Sequence, residues 1–247
     1  MKSTVIPSEV EKFGKLAEDW WNPNGGLKAL HSMNSIRVPL IQATIDRNVP
    51  GRKRILDLGC GGGFLSEGLG VHFRSMGWTD EEIEIVGMEP APDNIAVARN
   101  HLPSELAGMV TYVCDTIENY VANNPTVQFD TVVMSEVIEH VDNPEEFLKY
   151  AVSVAKPGGN IILTTPAKTI LSWIGVILFA EHIMRIVPVG THEYNKFIAI
   201  DKTQQLFREN GCKIVDVRGT FYNPITNRWT WNNYCKMFCY AIHAVKS

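Results

Sequence analysis

The chain has 247 residues, 45% of them hydrophobic and 20% charged, the balance of a folded α/β-sized protein, which excludes collagen, coiled coil and intrinsic disorder. Its net charge of -4, from 23 basic and 27 acidic residues, speaks against a nucleic-acid partner. No apolar run reaches the roughly 18–20 residues of a membrane span, and the five cysteines contain no CxxC pair, which points to a reduced compartment without a zinc ribbon.

In chain order, residues 9–47 read as helices. Phe13, Leu16, Ala17, Trp20 and Trp21 recur at helical spacing, the Asn22-to-Gly26 segment breaks the pattern, and a second apolar stretch follows with Pro39 expected in its first turn. Short apolar runs then alternate with helical segments. Strands are expected at 54–58, 84–88, 110–114, 129–134, 160–165, 213–217 and 237–245, with helices from Phe64 and over 93–100, 144–155 and 202–209. Lys156-Pro157-Gly158-Gly159 reads as a turn. This alternation predicts a doubly wound, mostly parallel sheet with helices on both faces, whose ligands sit beyond the carboxyl ends of the strands. The long departure is residues 165–197, a helical insertion whose apolar block Ile170–Ala180 is too short to cross a bilayer. It reads either as a buried helix or lid, or as a helix lying in a membrane interface.

The segment Asp57-Leu58-Gly59-Cys60-Gly61-Gly62-Gly63 follows the first strand and opens a helix. Glycines there let the chain turn sharply and let a ligand approach the main chain. The dinucleotide fingerprint G-x-G-x-x-G fails at Phe64, and the Asp57 carboxylate suits an ammonium group better than a pyrophosphate, so a nicotinamide-dependent oxidoreductase is disfavoured. Glu89 ends the second strand, placed to accept hydrogen bonds from ribose hydroxyls, although the interval from the loop exceeds the usual about 20 residues. Asp115 ends the third strand and can accept from an adenine amino group. Gly59, Gly61, Glu89 and Asp115, with Asp57, therefore describe a site for an adenosine that carries an amino acid, which is S-adenosylmethionine.

After the fourth strand come Glu136, Glu139 and His140. If a helical turn begins there, they share one face and suit Mg²⁺ or another divalent cation. Two roles stay open: a cation that activates an acceptor hydroxyl, or His140 as general base without metal. His31 and His192 read as structural histidines, and Cys60 as packing in the loop.

The glycine loop, the acid after the second strand and Lys156-Pro157-Gly158-Gly159 resemble the class I methyltransferases. Trp20-Trp21, Leu30-to-Arg37, Ser135-Glu136-Val137-Ile138-Glu139-His140-Val141, Val187-to-His192 and Tyr222-Asn223-Pro224 together resemble one family, the ubiquinone-biosynthesis O-methyltransferases, across nearly the whole chain. The resemblance implies a single Rossmann-like domain over 1–247, with an antiparallel last strand, an N-terminal helical cover (1–48) and a membrane-interacting insertion (165–197). It implies S-adenosylmethionine contacts at Arg37, Gly59, Glu89 and Ser135, with Arg37 on the methionine carboxylate, and it favours Mg²⁺ on Glu136, Glu139 and His140. The expected acceptors are catechol hydroxyls of 3,4-dihydroxy-5-polyprenylbenzoate and demethylubiquinol. The expected setting is peripheral: the matrix side of the mitochondrial inner membrane in a eukaryote, the cytoplasmic face in a bacterium, beside other enzymes of the pathway. Residues 1–9 carry no recognisable presequence, so the chain is expected either to act where it is made or to be a mature or shortened form. Two features depart from the family: Glu89 stands where Asp is usual, its extra methylene compatible with ribose binding, and the loop over 77–82 is longer. The alternatives are a methyltransferase for a soluble phenol or amine, and a non-catalytic lipid-binding subunit that keeps the fold.

Overall fold

The structure, a computed structural model, describes residues 3–22, 25–169, 197–233 and 236–247. The apolar block Ile170–Ala180, His192 and the segment around it lie outside the described residues.

Strands β1 (Lys53–Leu58), β2 (Ile83–Glu89), β3 (Val110–Cys114), β4 (Phe129–Ser135) and β5 (Ala155–Pro166) form the parallel part of one sheet. β6 (Cys212–Asn223), β7 (Arg228–Asn232) and β8 (Cys239–Lys246) extend it by antiparallel pairing, in the order β3-β2-β1-β4-β5-β8-β6-β7. The central strands are covered on both faces, so Ile55, Leu56, Ile85, Met88, Val132 and Met134 are all buried and read as continuous apolar runs. One face packs against α5 (Ile117–Asn123), α6 (Pro144–Ser153) and α7 (Ile200–Glu209). The other packs against α2 (Lys28–Gln42), α3 (Phe64–Ser75) and α4 (Pro92–His101). Ahead of α2 lie α1 (Pro7–Gly14) and a 3₁₀ turn at Ala17–Asp19.

Sequence and structure differ at several elements. α2 begins at Lys28, so Pro39 lies inside it near its end rather than in a first turn. The Lys156-to-Gly159 turn is absorbed into the start of β5 as an irregularity in the β4–β5 pairing, with Gly158 at φ 74. β6 runs past Val217 to Asn223 and turns back as β7, a strand the sequence reading lacked. The 77–82 loop has a structural role: Trp78 is buried against Phe73, Arg47 stacks over the Trp78 ring at 4.9 Å, and Arg47 pairs with Glu82 at 2.7 Å.

Candidate active site

Strand order decides what meets at the carboxyl edge. Reading across β3, β2, β1 and β4, that edge presents Asp115, then Glu89, then the glycine loop, then Ser135 with Glu136. Three strand spacings of about 4.8 Å spread these groups over on the order of 14 Å. They line one cleft. All six residues expected to contact the cofactor, Arg37, Gly59, Gly61, Glu89, Asp115 and Ser135, face it, as do Asp57, Glu136 and His140.

The glycine loop is shaped by its neighbours. Gly59 has φ 80, and a Cβ on it would lie 2.4 Å from Val137. Gly61 has φ 52, and a Cβ there would lie 2.3 Å from the Trp20 ring. The backbone amides of Gly59 and Cys60 donate to the Met88 carbonyl at 2.8 and 3.0 Å, and that of Gly61 donates to Glu89 Oε2 at 3.3 Å. Glu89 Oε1 accepts from the Ala91 amide at 3.2 Å and from Asn94 Nδ2 at 3.4 Å. Burial raises the Glu89 pKa, and these donors oppose the rise. Burial likewise raises Asp57, against its bond from Ser66 Oγ at 2.6 Å and the charge of Arg37.

The N-terminal cover closes on this loop. Trp20 Nε1 donates to Asn94 Oδ1 at 2.9 Å, and Trp21 Nε1 to the Gly62 carbonyl at 3.0 Å. Trp21 also stacks on His101 with ring centroids 3.5 Å apart. Arg37 reaches in from α2 and donates through Nη1 to Ser135 Oγ at 2.9 Å and through Nη2 to the Leu30 carbonyl at 3.0 Å. Its Nε is buried and donates to no acceptor among the described residues. Burial lowers the guanidinium to about 10, while Asp57 and Glu136 pull the other way. A buried cation with an unused donor fits a ligand carboxylate, and this cleft, with acids for an ammonium and a ribose, fits S-adenosylmethionine.

The residues after β4 correct one expectation. No helical turn begins at residue 136: Glu136 has φ 58, and only Ile138–His140 form a 3₁₀ turn. Each of the three side chains has a partner of its own. Glu136 Oε1 accepts from Thr164 Oγ1 at 2.8 Å, Glu139 Oε2 from Thr165 Oγ1 at 3.0 Å, and His140 Nδ1 lies 2.9 Å from Glu9 Oε2. Glu139 is 2% exposed and does not line the cleft. Among the described residues no three His, Cys, Asp or Glu side chains converge as a cation site. The donor types suit a divalent cation.

The readings of His31 and Cys60 agree with the structure. His31 is a satisfied histidine, with Nε2 2.7 Å from the Trp20 carbonyl oxygen and its ring against Phe64. Cys60 is buried, and burial pushes its thiol well above the ordinary range. The sequence reading missed Thr4, Glu9, Asn94 and Glu118, all of which line the cleft. Each has a partner far along the chain, which no local pattern marks. Thr4, for example, donates through its amide to Glu118 Oε1 at 2.6 Å.

A family model described as a methyltransferase domain matches residues 31–217. The ubiquinone biosynthesis O-methyltransferase of Dictyostelium discoideum mitochondria is 37% identical over 96% of this chain and 77% of its own length. The bacterial ubiquinone biosynthesis O-methyltransferase of Roseobacter denitrificans is 38% identical over 93% and 91%. Among solved structures, an S-adenosylmethionine-dependent methyltransferase of Thermotoga maritima superposes with TM-score 0.62 at 17% identity, covering 96% of this chain and 99% of the other.

Proposed function

Since the chain belongs to the ubiquinone-biosynthesis O-methyltransferase family, we propose that it transfers a methyl group from S-adenosylmethionine to a catechol hydroxyl of 3,4-dihydroxy-5-polyprenylbenzoate and of demethylubiquinol. The observation that carries this reading is the cleft itself, in which the strand order brings Asp115, Glu89, the glycine loop, Ser135 and Glu136 side by side.

In this reading Asp115 accepts from the adenine amino group and Glu89 from the ribose hydroxyls, while Gly59 and Gly61 let the main chain approach the cofactor. Arg37, oriented by Ser135 Oγ at 2.9 Å, takes the methionine carboxylate. The donor supplies an electrophilic methyl: the acceptor oxygen forms the new C–O bond and the C–S electron pair returns to sulfur. The chain contributes alignment and a proton acceptor. His140, lining the cleft after β4, receives the hydroxyl proton on Nε2.

A second reading gives hydroxyl activation to Mg²⁺ on Glu136, Glu139 and His140. Its support is Glu139 Oε1, which is buried and accepts no hydrogen bond among the described residues, in the fields of Glu136 and Glu9. In the same reading the protein works peripherally at the membrane that holds a polyprenyl substrate: the mitochondrial inner membrane on its matrix side in a eukaryote, the cytoplasmic face in a bacterium. Other enzymes of the pathway are its expected partners there.

The test is turnover of a demethylubiquinol analogue, with S-adenosylhomocysteine and NAD titrated as competitors. Inhibition by the first and not the second is expected. NAD binding without S-adenosylhomocysteine binding overturns the cofactor assignment. Full turnover after chelation, abolished by His140→Ala, supports the base; turnover that returns only with added Mg²⁺ supports the cation.

A further inference from the structure

The imidazole of His140 does not stand alone in the cleft. Glu9, on the first turn of α1, places Oε2 2.9 Å from His140 Nδ1, and the two side chains are 10% and 12% exposed. Phe13, one helical turn further on, sets its ring edge-on to the imidazole with centroids 4.8 Å apart. Lys12 Nζ lies 3.7 Å from the same Glu9 oxygen. The contact is built into the backbone as well. Val5 bridges Val141, the Asp142 amide donates to the Thr4 carbonyl at 2.8 Å, and the Thr4 amide is tied to Glu118. The strand-like pairing beside His140 thus fixes the register of the segment that leads into Glu9.

We propose that Glu9 is a positioning residue for the methyl transfer, fixing the tautomer and orientation of His140; the inference rests on the role given to His140 above. A carboxylate accepts hydrogen bonds and cannot donate, so it holds the proton on Nδ1. That leaves Nε2 as the basic nitrogen. When the acceptor oxygen is methylated, its proton passes to Nε2, and the Glu9 carboxylate stabilises the imidazolium that forms. The same bond would orient Nε2 toward a cation, so the assignment does not depend on which activation is used. α1 therefore does more than cover the cleft: it supplies half of a buried carboxylate–imidazole pair whose other half lies beyond β4.

The test compares full-length wild type, Glu9→Gln and Glu9→Asp, each as its S-adenosylhomocysteine complex for binding and spectroscopy. In Glu9→Gln the amide can donate to Nδ1 and so favours the wrong tautomer. The expected result is a kcat about 100-fold lower or worse, by analogy with loss of a carboxylate behind a catalytic histidine, with the KM for S-adenosylmethionine and the Kd for S-adenosylhomocysteine within about twofold of wild type. ¹⁵N spectra of His140 at neutral imidazole should show the proton on Nδ1 in wild type and on Nε2 in Glu9→Gln. Glu9→Asp should keep the wild-type tautomer and recover part of the rate. A wild-type His140 protonated on Nε2 overturns the inference without reference to any variant. So does a Glu9→Gln enzyme with unchanged kcat and tautomer while His140→Ala is inactive. If His140→Ala keeps full activity, the role of His140 falls instead, and the tautomer shift still reports whether the pair exists.

Discussion

A buried carboxyl group favours its neutral form, and Glu139 is such a group. Burial is the first cause of its raised pKa, and the charges of Glu136 and Glu9 add to it. In the unfolded chain its value is near 4.5. Between that value and the raised one, the folded state keeps a proton that the unfolded state has lost, so this group's contribution to stability declines as pH rises through the window. Glu139→Gln keeps the shape and removes the titration. In chelated buffer, the Tm of wild type should fall relative to Glu139→Gln as pH increases above about 4.5; parallel Tm curves would contradict the argument. Gly61 gives a second prediction at this scale. Both Gly61 and Gly77 have positive φ, but only Gly61 would drive a Cβ into Trp20, while a Cβ on Gly77 meets nothing within 4 Å. Gly77→Ala should therefore cost stability alone, on the order of 1–2 kcal/mol. Gly61→Ala should also weaken S-adenosylhomocysteine binding by tenfold or more, as read by calorimetry, because cover and loop must part.

At the scale of elements, the cover and the cofactor edge form one connected unit. Trp20 holds Asn94, Asn94 donates to Glu89, and Glu89 accepts from the Gly61 amide. Trp20→Phe removes the indole donor while keeping most of the ring, at a cost of about 1 kcal/mol. Its effect on S-adenosylhomocysteine affinity should be non-additive with Asn94→Ala, with a coupling of roughly 0.5–1.5 kcal/mol in a double-mutant cycle. Simple additivity would mean that Trp20 acts only by packing. The elements best read from sequence are those with local signals. β1 to β4 are short apolar runs that end in glycine or acid, and parallel burial makes such runs nearly continuous. β7 was missed because Arg228-Trp229-Thr230-Trp231-Asn232 alternates aromatic and polar groups without an apolar run, and the strand is only half buried. The turn at 136 was misread because nothing in a glutamate announces a left-handed backbone. Glu9 and His140 pair across 131 positions, a separation at which periodicity says nothing.

At the scale of the whole molecule, the acceptor of the proposed function carries a polyprenyl tail, and the cleft has to meet it. No helix among the described residues is long and apolar enough to cross one. The apolar run Ile170–Ala180 lies in sequence between β5 and α7, and the described residues on either side of that connection are anchored at the end of the sheet that carries the site. Ala167 bridges Ile198, and Thr165 donates to Glu139 behind the cleft wall. An apolar segment too short to span can still bury side chains at the headgroup boundary, and charge placed there opposes that burial. The double variant Ile174→Lys, Leu178→Lys should lower co-sedimentation with uncharged phosphatidylcholine liposomes, where lysine gains nothing from lipid charge. It should also raise KM for a long-tailed acceptor, while leaving Tm, S-adenosylhomocysteine affinity and turnover of a tail-less catechol as in wild type. If the long-tailed acceptor and the liposomes are handled as in wild type, the run is not the membrane contact. If turnover of the tail-less catechol falls as well, the run acts on the site itself, as a lid would.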